Sequence, residues 1–299
     1  MNRRDAVYQL AAVQLGLLGL AMAPARAQGY PDGPVRIVIG VPPGAGPDVE
    51  ARAFAAALQL ELGQPVVVEN KPGFTGLLAK DAVAKAAPDG YTLGAGNPSN
   101  LTSNPRLVDR PPFNVDKDIA PIIRFIEHPW LLYINAKLPA SNLAEFVEMA
   151  KASPGRISYA SAGIGSFPHL TAEWFQKLAG IRLNHIPYSG GNHWQSDLLA
   201  STGRTSMLPE VPTFAQAGYP EYSARAWAGL VAPAATPGPV IERLAQASAR
   251  AVQRAEFREF VKNFGGVTGG GTPQDFAKFL SNERGRLQAL IVENNIRLE

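Results

Sequence analysis

Short aliphatic runs alternate with amphipathic helical stripes along most of this chain, and Gly/Pro-rich turns separate them. Residues 35–41 (VRIVIGV) are apolar on both faces, the pattern of a strand buried in a parallel sheet. Residues 48–62 follow with Ala51, Phe54, Ala55, Leu58 and Leu62 on one helical stripe, and Gly63 and Pro65 stop that helix. The cycle repeats: strand 65–69, turn 70–76 (NKPGFTG), helix 77–87, then strand 91–96 running into the loop 97–105 (NPSNLTSNP).

A second block begins after 122–135 (IIRFIEHPWLLYIN), which reads as two strands broken at Pro129. Asn142 and Glu145 make a capping pair for helix 143–152. Strand 157–163, helix 166–178, strand 181–188 and helix 192–200 come next. A strand over 224–233 precedes three helices beginning near Pro237, Glu256 and Pro273. Two blocks of alternating strand and helix predict two α/β lobes with mostly parallel sheets.

The first 27 residues stand apart from the fold. Arg3 and Arg4 form a basic start, 10–23 is a short apolar segment, and Ala25-Arg26-Ala27 is a cleavage site of A-x-A type, so 1–27 reads as a signal peptide. Asp5-Ala6-Val7 departs from the twin-arginine pattern, which favours ordinary secretion. Arg3, Arg4 and Arg26 leave with that segment, as does Asp5, so the net charge falls from +3 to about +1 and offers nothing to nucleic acid. The absence of cysteine excludes disulfides, thiolate nucleophiles and Cys-ligated metal. No later apolar run reaches spanning length, so a soluble exported protein is expected.

In such sheets ligands lie beyond the carboxyl ends of the strands, where helix N-termini point free N–H groups. That rule selects 42–48, 70–76, 97–105, 162–169 and 187–192. Among them only Lys71 is basic, with Arg106 just beyond, so backbone amides and hydroxyls suit a carboxylate better than a triphosphate. The loop 40–48 is no nucleotide loop: no Gly-Lys-Ser/Thr follows it, and Gly44-x-Gly46-x-x-Val49 lacks a third glycine. A plain strand–helix turn, with Gly46 or Asp48 capping the helix, explains the same residues. Ser161 and Ser166 around two glycines resemble an anion nest.

Catalytic and metal readings are weaker. His193 and Asp197 share a helical face, but two ligands make no metal site. Gly-x-Ser-x-Gly is absent, and Ser166 with His169 has no carboxylate at a predictable position. Trp174 and Trp227 are expected in cores. No enzyme activity, cofactor or metal is expected.

Seven ordered blocks carry a resemblance: YPDGPVRIVIGVPPGAGPDVEAR, LGQPVVVENKPG, DAVAKAAPDGYTL, ISYASAGIGSFPHLTAEWF, HIPYSGG, LPEVPTFAQAGYPEY and AWAGLVAPAATP. Together they resemble the extracytoplasmic solute receptors of tripartite tricarboxylate transporters, the Bug receptors, over essentially the whole chain after the signal. The resemblance implies a two-lobed periplasmic-binding-protein fold of type II-like form, with two mostly parallel sheets flanked by helices and a ligand cleft between them. Lobe 1 would comprise 28–125 plus 232–299, and lobe 2 would comprise 126–231. It implies a monomeric periplasmic receptor that closes on a small organic anion, a carboxylate, and hands it to the membrane subunits of the transporter.

By the same resemblance Gly44, Ala45, Gly46 and Asp48 form the first ligand loop. Phe74 and Thr75 belong to the second, and Asn97, Pro98 and Ser99 to the third. Ala162, Gly163, Ser166 and His169, with Tyr188, Ser189 and Gly190, face them from the other lobe. Val41, Ala45 and Pro47 depart from the Phe, Gly and Thr/Ser usual in the family, and Pro47 removes an N–H and a hydroxyl from a donating loop. Between Leu199 and Leu208 stands only ASTGRTSM, where relatives carry a β-α-β unit of roughly 30 residues. A receptor-derived remnant that no longer binds or transports is therefore the alternative reading.

Overall fold

The computed structural model describes residues 29–103, 107, 111–135, 137–188 and 211–293. The expected signal segment, helix 192–200 and the shortened stretch between 199 and 208 lie outside the described residues.

The first half alternates as its pattern predicts: β1 (Val35–Ile39), α1 (Gly46–Leu62), β2 (Val66–Asn70), α2 (Leu77–Ala84) and β3 (Thr92–Gly96). A 3-10 turn at Phe74–Gly76 enters α2, and a π-turn at Ser99–Ser103 follows β3. Gly63 ends α1 in the left-handed region at φ 70°, its N–H donating to the Gln59 carbonyl. A short helix α3 (Val115–Asp118) leads into β4 (Ile119–Pro129).

Next come α4 (Leu143–Ala152), β5 (Ser158–Ser161), α5 (Phe167–Ala179) and β6 (Asn184–Pro187). The Asn142 side chain accepts from the Glu145 N–H at 3.0 Å while Glu145 accepts from the Ser141 N–H at 2.7 Å, so the expected capping pair starts α4. The chain ends with β7 (Arg225–Pro233), α6 (Gly238–Ala251), α7 (Ala255–Asn263), β8 (Val267–Gly270) and α8 (Pro273–Glu293).

Among the described residues the strands form a six-stranded sheet, β2-β1-β3-β7-β4-β8, and a parallel pair, β5-β6. The large sheet is mixed, which corrects the expectation of a mostly parallel one. β1 pairs in parallel with β2 and β3, but β7 is antiparallel to β3 and β4, and β4 is antiparallel to β8. The physical reason is topological: β4 carries the chain out of the sheet and β7 returns it beside β4, so the two must run in opposite senses. Register shifts at Pro121/Ile123 and Arg124/Ile126 interrupt the β4–β7 ladder. The first accommodates Pro121, which has no N–H to give a ladder.

Only one strand forms from 122–135. β4 ends at Pro129, and beyond it only an isolated bridge stands at Leu131. β8 was not foreseen, because its Val-Thr-Gly-Gly has too few large apolar residues to signal a strand.

Two faces of the large sheet bury separate clusters. Phe54, Leu58, Leu244 and Phe257 cover one face, while Leu77, Val83, Leu101 and Phe276 cover the other with Trp227. A third cluster joins Phe146, Leu170, Phe175, Phe214 and Tyr222 around α4 and α5. Helix α8 serves both units: Phe276 and Leu280 pack beneath the large sheet, and Leu287, Leu290 and Ile291 pack into the third cluster. β4 and β7 stay in the large sheet as far as Pro129 and Arg225, on the far side of residues 125 and 232.

Candidate functional site

Parallel strands β1, β2 and β3 end at Ile39, Asn70 and Gly96, so the loops that follow share one edge of the large sheet. Close contact locks these loops together. A Cβ on Gly40 would lie 2.4 Å from the Gly76 Cα, and one on Gly76 would lie 2.9 Å from the Asn100 amide nitrogen. Asn100 in turn accepts from the Asn97 N–H at 3.0 Å. Thus the first loop abuts the second, and the second abuts the third.

The first loop is closed by Asp48. Its Oδ2 accepts from the Gly44 N–H at 2.8 Å and from Arg52 Nε at 3.0 Å, and its Oδ1 accepts from Asn70 Nδ2 at 2.7 Å. Burial pushes this carboxyl up, but the bonds from Arg52, Gly44 and Asn70 outweigh it and hold the group below its ordinary value. Ala45, not Gly46 or Asp48, is the N-cap of α1, and Asp48 instead ties the preceding turn back onto the first helical turn. Gly44 sits at φ 80°, where a side chain would be strained. Arg52 also donates to Asn70 Oδ1 at 2.8 Å, so this basic group near the loop is committed to the clamp. Neither Arg52 nor Asn70 was foreseen as a site residue, because each acts through Asp48.

The second loop holds two non-glycine residues in the left-handed region, Phe74 at φ 50° and Thr75 at φ 52°. Such backbone is sparsely populated for β-branched and bulky residues, and it concentrates at binding sites. Phe74 is 59% exposed, so its ring stands over solvent rather than in a core.

The third loop reaches the other unit. Ser99 Oγ accepts from the Phe167 N–H at 3.1 Å, in the first turn of α5, and Ser103 Oγ donates to the Gly165 carbonyl at 3.2 Å. A Cβ on Gly163 would lie 3.6 Å from Thr75 Cγ2 and 3.5 Å from the Tyr188 carbonyl. Loops two and three therefore meet the turn between β5 and α5. Ala162 begins that turn directly after β5. Ser189 and Gly190, like His193 and Asp197, lie outside the described residues.

That turn is held from behind by a ring stack that the sequence did not reveal. His169 and His185 stack at 4.1 Å and 5°, and His185 and Tyr159 at 4.9 Å. His169 Nδ1 accepts from the Gly165 N–H at 3.0 Å, and Ser161 Oγ lies 2.6 Å from His185 Nε2. Burial and the neighbouring His185 push His169 down to about 4, so it is neutral and carries its proton on Nε2. Burial also lowers His185, partly offset by Glu173. Tyr159 donates to Glu173 at 2.8 Å and closes the row.

Ser166 and His169 are occupied separately. Ser166 Oγ donates to the Gly163 carbonyl at 2.6 Å while His169 serves Gly165, so no nucleophile–base pair is assembled from them. The hydroxyls of Ser161 and Ser166 shape the loop, with Ser161 Oγ accepting from the Gly163 N–H at 3.1 Å. Among the described residues no group of three or more His, Asp or Glu is placed to hold a metal ion, and no helix is long and apolar enough to cross a membrane.

The structure is a mixed sheet with flanking helices whose strand-end loops meet a glycine-rich turn of a second unit, and the family and solved structures it matches are solute-binding receptors, not enzymes. The model of the tripartite tricarboxylate transporter family receptor, TctC, matches this chain over residues 50–203 and 198–296. The chain belongs to that family. BugT of Bordetella pertussis is 32% identical over 306 residues, covering 93% of this chain and 94% of that protein. Two solved structures are similar across almost their whole length. Rpa4515 of R. palustris with adipate shares 26% identity at a TM-score of 0.84, covering 90% of this chain and 99% of that one. MatC from Rhodopseudomonas palustris with bound malate shares 27% at 0.80, covering 88% and 100%.

Proposed function

We propose that this protein captures a small carboxylate in the periplasm, after export directed by residues 1–27, and delivers it as a monomer to the membrane subunits of a tripartite tricarboxylate-type transporter. The proposed cleft lies between a first lobe, 28–125 plus 232–299 together with the strand ends 126–129 and 225–231 that pair within its sheet, and a second lobe formed by the rest of 126–231. From the first lobe it takes Gly44, Ala45, Gly46, Asp48, Phe74, Thr75, Asn97, Pro98 and Ser99. From the second it takes Ala162, Gly163, Ser166, His169 and Tyr188, and by family resemblance Ser189 and Gly190.

The observation that carries this reading is the convergence of loops two and three on the β5–α5 turn, through Thr75–Gly163, Ser99–Phe167 and Ser103–Gly165. Amide- and hydroxyl-rich surfaces of this kind suit a carboxylate, and two similar proteins hold dicarboxylates. Capture then proceeds by closure of the lobes about the crossings near Pro129 and Arg225. Calorimetric titration of the purified protein with malate, adipate and a panel of mono- to tricarboxylates tests the reading. A folded protein that binds none of them would overturn it.

A second reading is favoured by one observation: the two segments matched by the family model overlap at 198–203, in the stretch where the resemblance implies a missing β-α-β unit. On that reading the protein is a remnant of a receptor that has lost binding. Insertion of the corresponding segment from BugT separates the two. Binding gained only on insertion establishes the remnant, and binding by the natural chain excludes it.

A further inference from the structure

Below the first loop lies a buried acid that carboxylate capture leaves unused. Glu50, in the first turns of α1, has a side chain only 4% exposed, and its Oε1 is 3.1 Å from His128 Nε2. His128 is the penultimate residue of β4, next to the point where the chain leaves the large sheet. Its Nδ1 lies 3.3 Å from the Pro129 carbonyl. A carboxylate and a carbonyl are both acceptors, so the two ring nitrogens satisfy them together only as an imidazolium. Burial opposes that charge, yet the hydrogen bond and charge of Glu50 outweigh it and hold His128 above its ordinary value.

The pair is continuous with the loop. Phe264 meets the His128 ring edge-on at 5.6 Å, and a Cβ on Gly46 would lie 3.8 Å from Phe264 Cζ. Of the other charges nearby, Glu127 also favours the charged ring, more weakly than Glu50. Glu127 pairs with Arg124 at 2.9 Å and Arg225 at 2.9 Å, and Asp48 pairs with Arg52 at 3.0 Å. Glu50 is thus the carboxylate that meets His128 from α1.

We propose that Glu50 and His128 are positioning residues for the first ligand loop, tying the start of α1 to the strand end where the chain crosses between the units, so that the grip on an anion depends on this pair. The inference rests on the reading that this loop holds the ligand. The pair is whole below the pKa of folded His128 and is lost as the pH rises through it, which leaves Glu50 buried without its cation.

Amide hydrogen exchange of ligand-free protein, corrected for intrinsic rates, reports the loop directly. Protection at Gly44 and Val49 is expected to fall severalfold between pH 6 and 9, with the midpoint at which the His128 imidazole titrates by NMR. Glu50→Gln, which keeps a neutral hydrogen bond to the ring, is expected to abolish that step. With malate and adipate as probes, Kd should weaken about fivefold across the same step and stay flat in the variant. Loop amides that ignore the His128 titration, or a step that survives Glu50→Gln, would overturn the proposal. If no member of the carboxylate panel binds while the amide step appears and the variant removes it, the coupling stands and the carboxylate reading fails. Should Glu50→Gln fail to fold, His128→Gln carries the same comparison.

Discussion

Ser99 Oγ caps a helix that is not its own: it accepts from the Phe167 N–H at 3.1 Å, across 68 residues of chain. Ser166 is the N-cap of α5 by position, but its hydroxyl is turned to the Gly163 carbonyl and makes no capping bond. The free Phe167 N–H at the start of α5 is thus met from the other unit. Ser99→Ala is expected to lower stability by about 1 kcal/mol, the usual loss for an N-cap oxygen. Urea denaturation measures it, and an unchanged midpoint would show that water replaces the hydroxyl without loss.

The Asp48 clamp predicts a larger effect. Asparagine at 48 can place its oxygen toward Gly44 and Arg52 but then turns an amide toward Asn70 Nδ2, donor against donor. Asp48→Asn should cost about 2–3 kcal/mol, since it removes hydrogen bonds to a charged group. Because the folded pKa is depressed, this contribution is complete above the unfolded value of about 4 and is lost as pH falls through the folded one. Denaturation midpoints of the two proteins should therefore converge on acidification.

Lys80 is fully buried, and its Nζ donates to the Val38 carbonyl at 3.2 Å. Burial pushes this amine down to about 7. Between that value and the unfolded pKa near 10.4, the unfolded chain binds more protons, so stability rises with pH by up to about 1.4 kcal/mol per unit. Lys80→Met should remove that slope and raise the melting temperature at pH 7. Stability curves that run parallel for the two proteins from pH 7 to 10 would refute the assignment.

His169 titrates in the opposite corner of the pH scale. With a folded value of about 4 against roughly 6.5 unfolded, it contributes stability above pH 6.5 that is lost as pH falls toward 4. His169→Phe keeps a ring beside His185 but gives the Gly165 N–H no acceptor, which should cost about 1–3 kcal/mol at neutral pH. The gap between the two proteins should shrink below pH 5, and NMR of the imidazole should show it neutral at pH 5.5.

Much of this protein was legible because much of it is local. The 3.6-residue stripe at Ala51, Phe54, Leu58 and Leu62, the Gly63 stop and the Asn142–Glu145 cap each lie within a few turns of chain, and each forms as its spacing requires. The same holds for the loops after β1 and β3, since a Gly-rich strand end followed by a helix start is written in consecutive residues. Strand direction is not. The apolar run of β4 and that of β7 look alike in either sense, and only the return of the chain beside its own exit sets them antiparallel.

What the tertiary structure alone decided is which polar groups meet. Sequence determined that Asp48, Ser99 and His169 lie in or within a turn of segments that follow strands, because burial pattern and turn chemistry fix where a strand ends. It left open that Asp48 clamps Asn70, that Ser99 caps Phe167, that His169 stacks on His185 and that Glu50 pairs with His128. Hydrogen bonds and ion pairs act over about 3 Å. Their partners here stand 22, 68 and 78 residues away in the hydrogen-bonded cases, and no local periodicity spans such separations. Packing of the sheet and α8 brings them within reach.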